Sequence, residues 1–132
     1  MLIKKETEYA VIGLTALASK NDRFYDAKMI ANEKNISETL LSKVFQKLAV
    51  ADILESKFGP SGGFRLVRNP KEITLWQIMM AVQIPNVLKC YSGHAPYCQK
   101  PSCSFKKLVS KIEKYLEEFL SNTTLNELIN NN

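Results

Sequence analysis

Apolar residues in the first fifty positions recur at the three- and four-residue spacing of helices. The first such stretch covers about residues 5–20, and polar residues end it. Asp26 is a suitable N-cap for a short second helix that extends to about Glu33. Ser37 is the expected N-cap of a third helix, which would bury one face and expose a polar one. A short helix, a tight turn and a longer helix together predict a helix-turn-helix.

After Asp52 the helical spacing gives way to alternation. Two short runs, I-L-E-S-K-F and F-R-L-V-R, flank the glycine-rich sequence G-P-S-G-G at residues 59–63. This is the pattern of a β-hairpin, and a hairpin that directly follows a helix-turn-helix is a wing. A fourth helix is predicted at about residues 75–83, because Pro85 cannot continue it.

From Ser104 the helical spacing returns as an apolar stripe of more than four turns. Its members are Phe105, Leu108, Val109, Ile112, Tyr115, Leu116, Phe119 and Leu120. A domain of this size has little core left to cover such a stripe, so we expect a homodimer interface; the alternative is packing within the chain. The closing T-L-N-E-L-I predicts one more short helix.

The expected fold class is therefore mainly α with a small β-hairpin wing. Residues 1–84 would form a winged helix-turn-helix DNA-binding domain, and residues 85–103 a cysteine-rich loop. Residues 104–132 would form a dimerisation helix and tail. We also expect a cytoplasmic protein without a membrane partner, since no apolar run approaches the roughly 18 residues that span a bilayer.

Charge favours the first half of the chain as a polyanion-binding surface. The net charge is +5; residues 1–71 carry 12 Lys and Arg against 8 Asp and Glu, whereas residues 72–132 carry 6 against 5. On the exposed face of the third helix, Gln46 and Lys47 are candidate DNA contacts. In the wing, the candidates are Lys57, Arg65 and the tip residues, whose backbone amides could approach phosphate: Gly59, Ser61 and Gly62.

Three cysteines, Cys90, Cys98 and Cys103, lie within one proline- and glycine-broken stretch of 14 residues, and the chain has no others. Three thiolates in one polar loop indicate a soft metal centre, and an iron–sulfur cluster is the expectation. The absence of a C-x2-C pair makes structural zinc a weaker alternative. A cluster-free thiol switch is the other alternative.

Several motifs together resemble one bacterial regulator family. They are E-T-E-Y-A-V-I-G-L, N-I-S-E-T-L-L-S-K-V-F-Q-K-L, G-P-S-G-G-F-R-L, I-T-L-W-Q-I-M-M-A-V and T-T-L-N-E-L. Their combination with a three-cysteine loop resembles the IscR/NsrR-type winged-helix regulators. The resemblance implies a homodimer with crossing C-terminal helices, whose cysteines hold an iron–sulfur cluster that controls repressor binding to a palindromic operator in double-stranded DNA.

The resemblance also implies particular residues. The resemblance implies that the third helix is the recognition helix. It places five residues along the edge of this helix that faces the DNA groove: Ser37, Thr39, Leu40, Ser42 and Lys43. As the fourth cluster ligand it favours Glu8 of the partner subunit, with His94 as the alternative. A [4Fe-4S] cluster is expected, with [2Fe-2S] as the alternative. Relatives often place arginine just before the wing glycines, where this chain has Phe58.

The sequence contains few motifs that would indicate another functional class. The chain has one histidine, no G-x-S-x-G elbow and no G-K-[ST] phosphate loop, so we expect it not to be an enzyme. An iron–sulfur carrier without DNA binding is the remaining rival. The signal that the cluster would report is iron, redox state or nitric oxide.

Overall fold

The computed structural model describes residues 3–83 and 104–131. Its first three helices are α1, Lys5–Ala18, α2, Ala27–Lys34, and α3, Glu38–Val50, and α2 and α3 form the predicted helix-turn-helix. The side chain of Asp26 caps α2 by accepting from the Lys28 N–H at 3.1 Å, and that of Ser37 caps α3 by accepting from the Leu40 N–H at 3.4 Å. Both helix starts are therefore set by the residues that sequence reasoning selected.

The turn between α2 and α3 depends on Asn35. Its φ of 55° and ψ of 49° lie in the left-handed region, which asparagine tolerates better than most side chains do. The next residue, Ile36, donates its N–H to the carbonyl of Ala31 at 3.0 Å. This local closure ends α2 and directs the chain into α3.

The wing is a two-stranded antiparallel hairpin. Strand β1 is Leu54–Lys57 and strand β2 is Gly63–Leu66, with Leu54 opposite Leu66 and Lys57 opposite Gly63. Tyr25 extends the hairpin through a bridge to Phe64, with N–H···O distances of 2.8 and 2.9 Å. A Cβ at Gly63, whose φ is +133°, would fall 2.5 Å from the carbonyl carbon of Tyr25, so only glycine fits this approach.

The rest of the described chain is helical. A 3-10 turn, Pro70–Glu72, precedes α4, Leu75–Val82; α5 is Ser104–Ser121 and α6 is Leu125–Asn130. The predicted division of the chain at residues 85–103 falls outside the described residues. The expected fold class, mainly α with a small hairpin wing, is confirmed.

A backbone bridge joins helix α6 to residues 3–83, here called the head. Thr74 and Thr124 pair in antiparallel fashion: the Leu75 N–H donates to the Thr123 carbonyl and the Leu125 N–H to the Ile73 carbonyl, both at 2.8 Å. Each threonine also begins a capping box, for α4 and α6 respectively. The tail therefore packs on the head rather than extending from α5.

The hydrophobic core lies where α1, α2, α3, α4 and α6 meet the base of the wing. Its largest fully buried side chains are Phe45, Leu14, Ile30, Leu41, Leu48, Ile53, Ile73, Ile78, Leu125 and Val44. Most of them occupy the positions where helical spacing predicted an inward face.

The side chain of Leu125 on α6 is 0% exposed, so replacing it tests whether α6 is part of the hydrophobic core. We expect Leu125→Ala to lower the free energy of unfolding by about 2–4 kcal/mol, through lost burial and the remaining cavity. Urea unfolding followed by circular dichroism measures the change. Leu128→Ala, at a partly exposed position of the same helix, is the matched control and should cost much less. Equal losses for the two variants would contradict the packing described.

Candidate nucleic-acid interface

Helix α3 presents a polar face to solvent beside its buried apolar one. Leu41, Val44, Phe45 and Leu48 are buried. The exposed residues of the other face are Glu38, Thr39, Lys43, Gln46 and Lys47, with Ser42 partly exposed. Such a face supplies donors and acceptors of different reach, as a helix in the major groove requires.

The tip of the wing is fully accessible. It comprises residues 58–62, and its first residue, Phe58, is 98% exposed. Gly59 has a φ of +103°, and the Gly62 N–H donates to the Gly59 carbonyl at 3.0 Å, which closes the tip. A large, exposed aromatic side chain therefore directly precedes a tight glycine-rich turn.

An open cleft of about 520 Å³ separates α3 from the wing. It is lined by Ser42, Gln46, Ala49, Val50, Ser56, Lys57, Phe58, Gly63 and Phe64. The helix side contributes mainly polar and small side chains, and the wing side contributes a lysine and two aromatic rings. A helix and a hairpin with a gap between them can contact adjacent grooves of one duplex, with a phosphate backbone in the gap.

Two wing cations are arranged around Phe24. The guanidinium of Arg65 lies 4.7 Å from the centroid of the Phe24 ring, and the ammonium of Lys57 lies 5.6 Å from it. Arg65 also pairs with Glu55 across the hairpin, and its Nε lies 3.8 Å from an Asp22 oxygen. The hydrogen bond that Arg65 donates to the Glu55 carboxylate raises the pKa of Arg65 above its usual value.

The structure places all twelve predicted DNA contacts on α3, on its N-cap or on the wing, but several of them also make contacts within the protein. Leu40 packs partly buried against the core, and Arg65 is paired with acidic side chains. The Lys47 ammonium donates to the Val82 carbonyl at 3.4 Å. Sequence reasoning did not select Val50, which is exposed at the end of α3 and lines the cleft; its apolar side chain gave no signal.

Helix α5 carries two sets of apolar side chains, one buried and one exposed. Val109 and Leu120 are buried toward the head, where α5 packs on α4. A second set, here called the α5 stripe, is exposed: Phe105, Leu108, Ile112, Tyr115 and Phe119. These residues alternate at three- and four-residue spacing, the pattern of a helix–helix seam.

The predicted cluster ligands divide between the described and undescribed parts of the chain. Cys90, Cys98, Cys103 and His94 lie outside the described residues. Glu8 is exposed near the start of α1. Among residues 3–83 and 104–131, no three His, Cys, Asp or Glu side chains come together as a metal site. None of the described helices is both long and apolar enough to span a bilayer.

Comparison with known proteins assigns this architecture. The model of the Rrf2 family, described as an iron-dependent transcriptional regulator, matches residues 3–131. An HTH-type transcriptional regulator of Aquifex aeolicus is 29% identical over 98% of this chain and 92% of its own length. The HTH-type transcriptional regulator NsrR of Bacillus licheniformis is 28% identical over 99% of this chain and 94% of its own.

Solved structures show the same fold. CymR, the global cysteine regulator of B. subtilis, has a TM-score of 0.76 at 24% identity, covering 100% of this chain and 98% of its own. IscR of T. potens has a TM-score of 0.76 at 23% identity, covering 99% and 88%. The chain thus belongs to the Rrf2 family and is a winged-helix, DNA-binding transcriptional regulator, not an enzyme.

Proposed function

We propose that this protein is a homodimeric regulator whose binding to a palindromic operator is controlled by an iron–sulfur cluster. The observation that carries the proposal is the position of the three thiols, Cys90, Cys98 and Cys103, between the DNA-binding head and helix α5. A chemical change at these thiols would occur between the winged helix-turn-helix, which binds DNA, and helix α5, which would join two copies of the protein. The family's description as iron-dependent supports the same reading.

The donor set suits a cluster. Three thiolates are the ligands that iron–sulfur clusters prefer, and a carboxylate or imidazole can complete the set. When bound, such a cluster supplies a centre that reacts with oxidants or nitric oxide and depends on iron supply. The relatives named NsrR and IscR favour this version. The second candidate function is a regulator without a cluster, in which the same cysteines act as a thiol switch. The likeness in fold to CymR, a cysteine regulator, is compatible with it.

The fourth ligand is proposed to be Glu8 of the partner subunit, with His94 as the alternative. Glu8 follows Thr7, whose hydroxyl contacts Gln83, the last described residue before the cysteines. This contact keeps the start of α1 beside the end of α4 within one chain, and the ligand is proposed to come from the same helix start of the other chain. Because the Glu8 carboxylate is exposed, no rearrangement of the core is needed for it to reach a ligand.

The dimer is proposed to form through the α5 stripe. Five large apolar side chains on one exposed face would leave an unusually apolar patch on a lone chain of this size. Tyr115 is the most exposed of the five, at 74%. Burial against a symmetry-related copy removes this surface from water and produces the two-fold arrangement that a palindromic operator matches.

On DNA, the exposed face of α3 is proposed to enter the major groove while the wing tip meets the adjacent minor groove. Lys43 and Gln46 are placed to read base edges, and Lys57 to contact phosphate. Phe58 differs from the arginine expected there, because it offers an apolar ring in place of a charge. An aromatic side chain at a wing tip acts on the minor groove as a wedge against base stacking or sugars.

The cluster proposal predicts a brown protein when purification is anaerobic, because charge transfer between iron and sulfur absorbs visible light. Cys90→Ala, Cys98→Ala and Cys103→Ala should each remove the colour and the bound iron and sulfide. Absorption spectra with iron, sulfide and zinc determinations measure this. A colourless protein that carries stoichiometric zinc would contradict it, and a metal-free one would leave the thiol switch.

The fourth ligand is tested by the same spectra in Glu8→Ala and His94→Ala. The variant that lacks the true ligand should lose its colour faster in air, since an open iron site admits oxidants and water. Glu6→Ala, a second acidic residue in the first turn of α1, controls for the loss of charge there. Equal cluster lifetimes in all three variants would rule out both candidates.

The dimer proposal predicts that Ile112→Glu combined with Tyr115→Glu gives a folded monomer, because four carboxylates would face one another across the seam. Light scattering gives the oligomeric state, and operator binding should weaken by the loss of one half-site. Ser110→Glu with Lys114→Glu, at exposed α5 positions outside the stripe, should remain dimeric. A monomeric wild-type protein would overturn the interface.

The wing proposal predicts that Phe58→Ala raises the operator Kd roughly tenfold, as expected for the loss of a stacking ring. It should also reduce DNA bending, measured by fluorescence energy transfer between the ends of the operator. Val67→Ala removes an exposed apolar side chain beyond the end of β2 and should change neither quantity. Unchanged affinity and bending in Phe58→Ala would exclude contact with DNA.

A further inference from the structure

Both ends of the recognition helix are held by hydrogen bonds that lead to the end of α4. At the start of α3, the Ser37 N–H donates to the hydroxyl of Tyr9 on α1 at 3.2 Å. In its last turn, the Lys47 ammonium donates to the carbonyl of Val82 at 3.4 Å. Val82 is the last residue of α4, so one attachment is direct and the other runs through α1.

Gln83 closes the connection between α1 and α4. Its side-chain oxygen accepts from the Lys4 N–H at 2.9 Å and from the Thr7 hydroxyl at 2.5 Å. Thr7 is 1% exposed and Gln83 is 7% exposed. A buried amide that receives two donors from one helix end is a directional contact, and displacing it would leave buried polar groups without partners.

These contacts form one continuous network. Thr7 and Tyr9 lie within one turn of α1, so the residue that meets Gln83 and the residue that meets Ser37 move as one rigid unit. Gln83 precedes Cys90 by seven residues, a length of chain that spans at most about 25 Å when fully extended. Gln83 is therefore the described residue of this network that lies closest in sequence to the cysteines.

We infer that Thr7, Tyr9 and Gln83 are positioning residues that fix the placement of α3 and connect it to the cysteine segment. The positioning part rests on the described contacts alone, whereas the connection to cluster state rests on the proposed function. Apolar residues would fill the same buried space with less directional preference. A polar network instead specifies one orientation, which a dimer reading two half-sites requires.

The positioning part is tested with Thr7→Val, which keeps the side-chain shape and removes the donor, and with Tyr9→Phe. Binding to an operator duplex and to a random duplex of the same length is measured for each. Both variants should bind the operator about fivefold or more weakly, as is typical of coupling between sites. Binding to random DNA should stay unchanged, since phosphate contacts need no fixed helix placement. Thr7→Ser, which restores the hydroxyl, should rescue operator affinity.

Thr15→Val makes the same substitution on α1 two turns away from the contact and serves as the control. Equal weakening on both duplexes, together with a lowered Tm, would show a merely structural role for Thr7. Wild-type operator affinity in Thr7→Val and Tyr9→Phe would likewise overturn the inference.

The connection to the cysteines is tested by the ratio of operator affinity with and without cluster. In Thr7→Val this ratio should move toward one, because α1 loses its hydroxyl contact with Gln83, the residue that leads into the cysteine segment. A ratio equal to that of the wild type would reject the connection. If the wild-type protein holds no cluster, or binds operator equally in both states, the proposed function fails. The operator and random-duplex comparison still decides the positioning role in that case.

Discussion

The packing of Phe45 is the contact on which the DNA-binding head depends. Its ring is fully buried, lies against Gly13 of α1 and meets Phe64 of the wing edge-to-face, with 5.1 Å between centroids. A Cβ at Gly13 would fall 2.7 Å from Cζ of that ring, so α1 and α3 approach this closely only because residue 13 is glycine. One side chain thus fixes the recognition helix against both the first helix and the wing.

The electrostatics of the head follow from how its cations are engaged. Arg65 is held by Glu55 and stacks on Phe24, so it stiffens the hairpin whether or not DNA is present. Lys43 lies exposed on the polar face of α3, and no such pairing is seen for it among the described residues. A wing whose arginine is paired, beside an exposed lysine on α3, suits a surface on which position is set by the fold and attraction by charge.

Much of this architecture is predictable from the sequence because its determinants are local. Asp26, Ser37 and the glycine-rich wing tip each act within a few residues, and the structure confirms the elements that they begin or turn. The contact between Thr7 and Gln83 spans 76 positions in the chain, and no pattern in the sequence indicates it. The burial of Leu125 likewise goes with a backbone hydrogen bond to Ile73, which lies 52 positions earlier in the chain. The cysteines were recognised by residue type and spacing, which predict a ligand set but not its geometry.

Helix α4 connects the two halves of the proposed mechanism. It packs against α1 and α3 on one side and against the buried face of α5 on the other. In the proposed dimer, the α5 stripe fixes the two-fold axis, and the end of α4 fixes the recognition helix through Val82 and Gln83. The distance between the two recognition helices is then set by how α5 sits on α4. The three cysteines lie in the sequence between these same two helices, so in the proposed mechanism a change at the thiols acts on that distance. A shift of a few ångströms between the recognition helices would misplace both half-site contacts together, which is how the proposed sensor would alter operator binding.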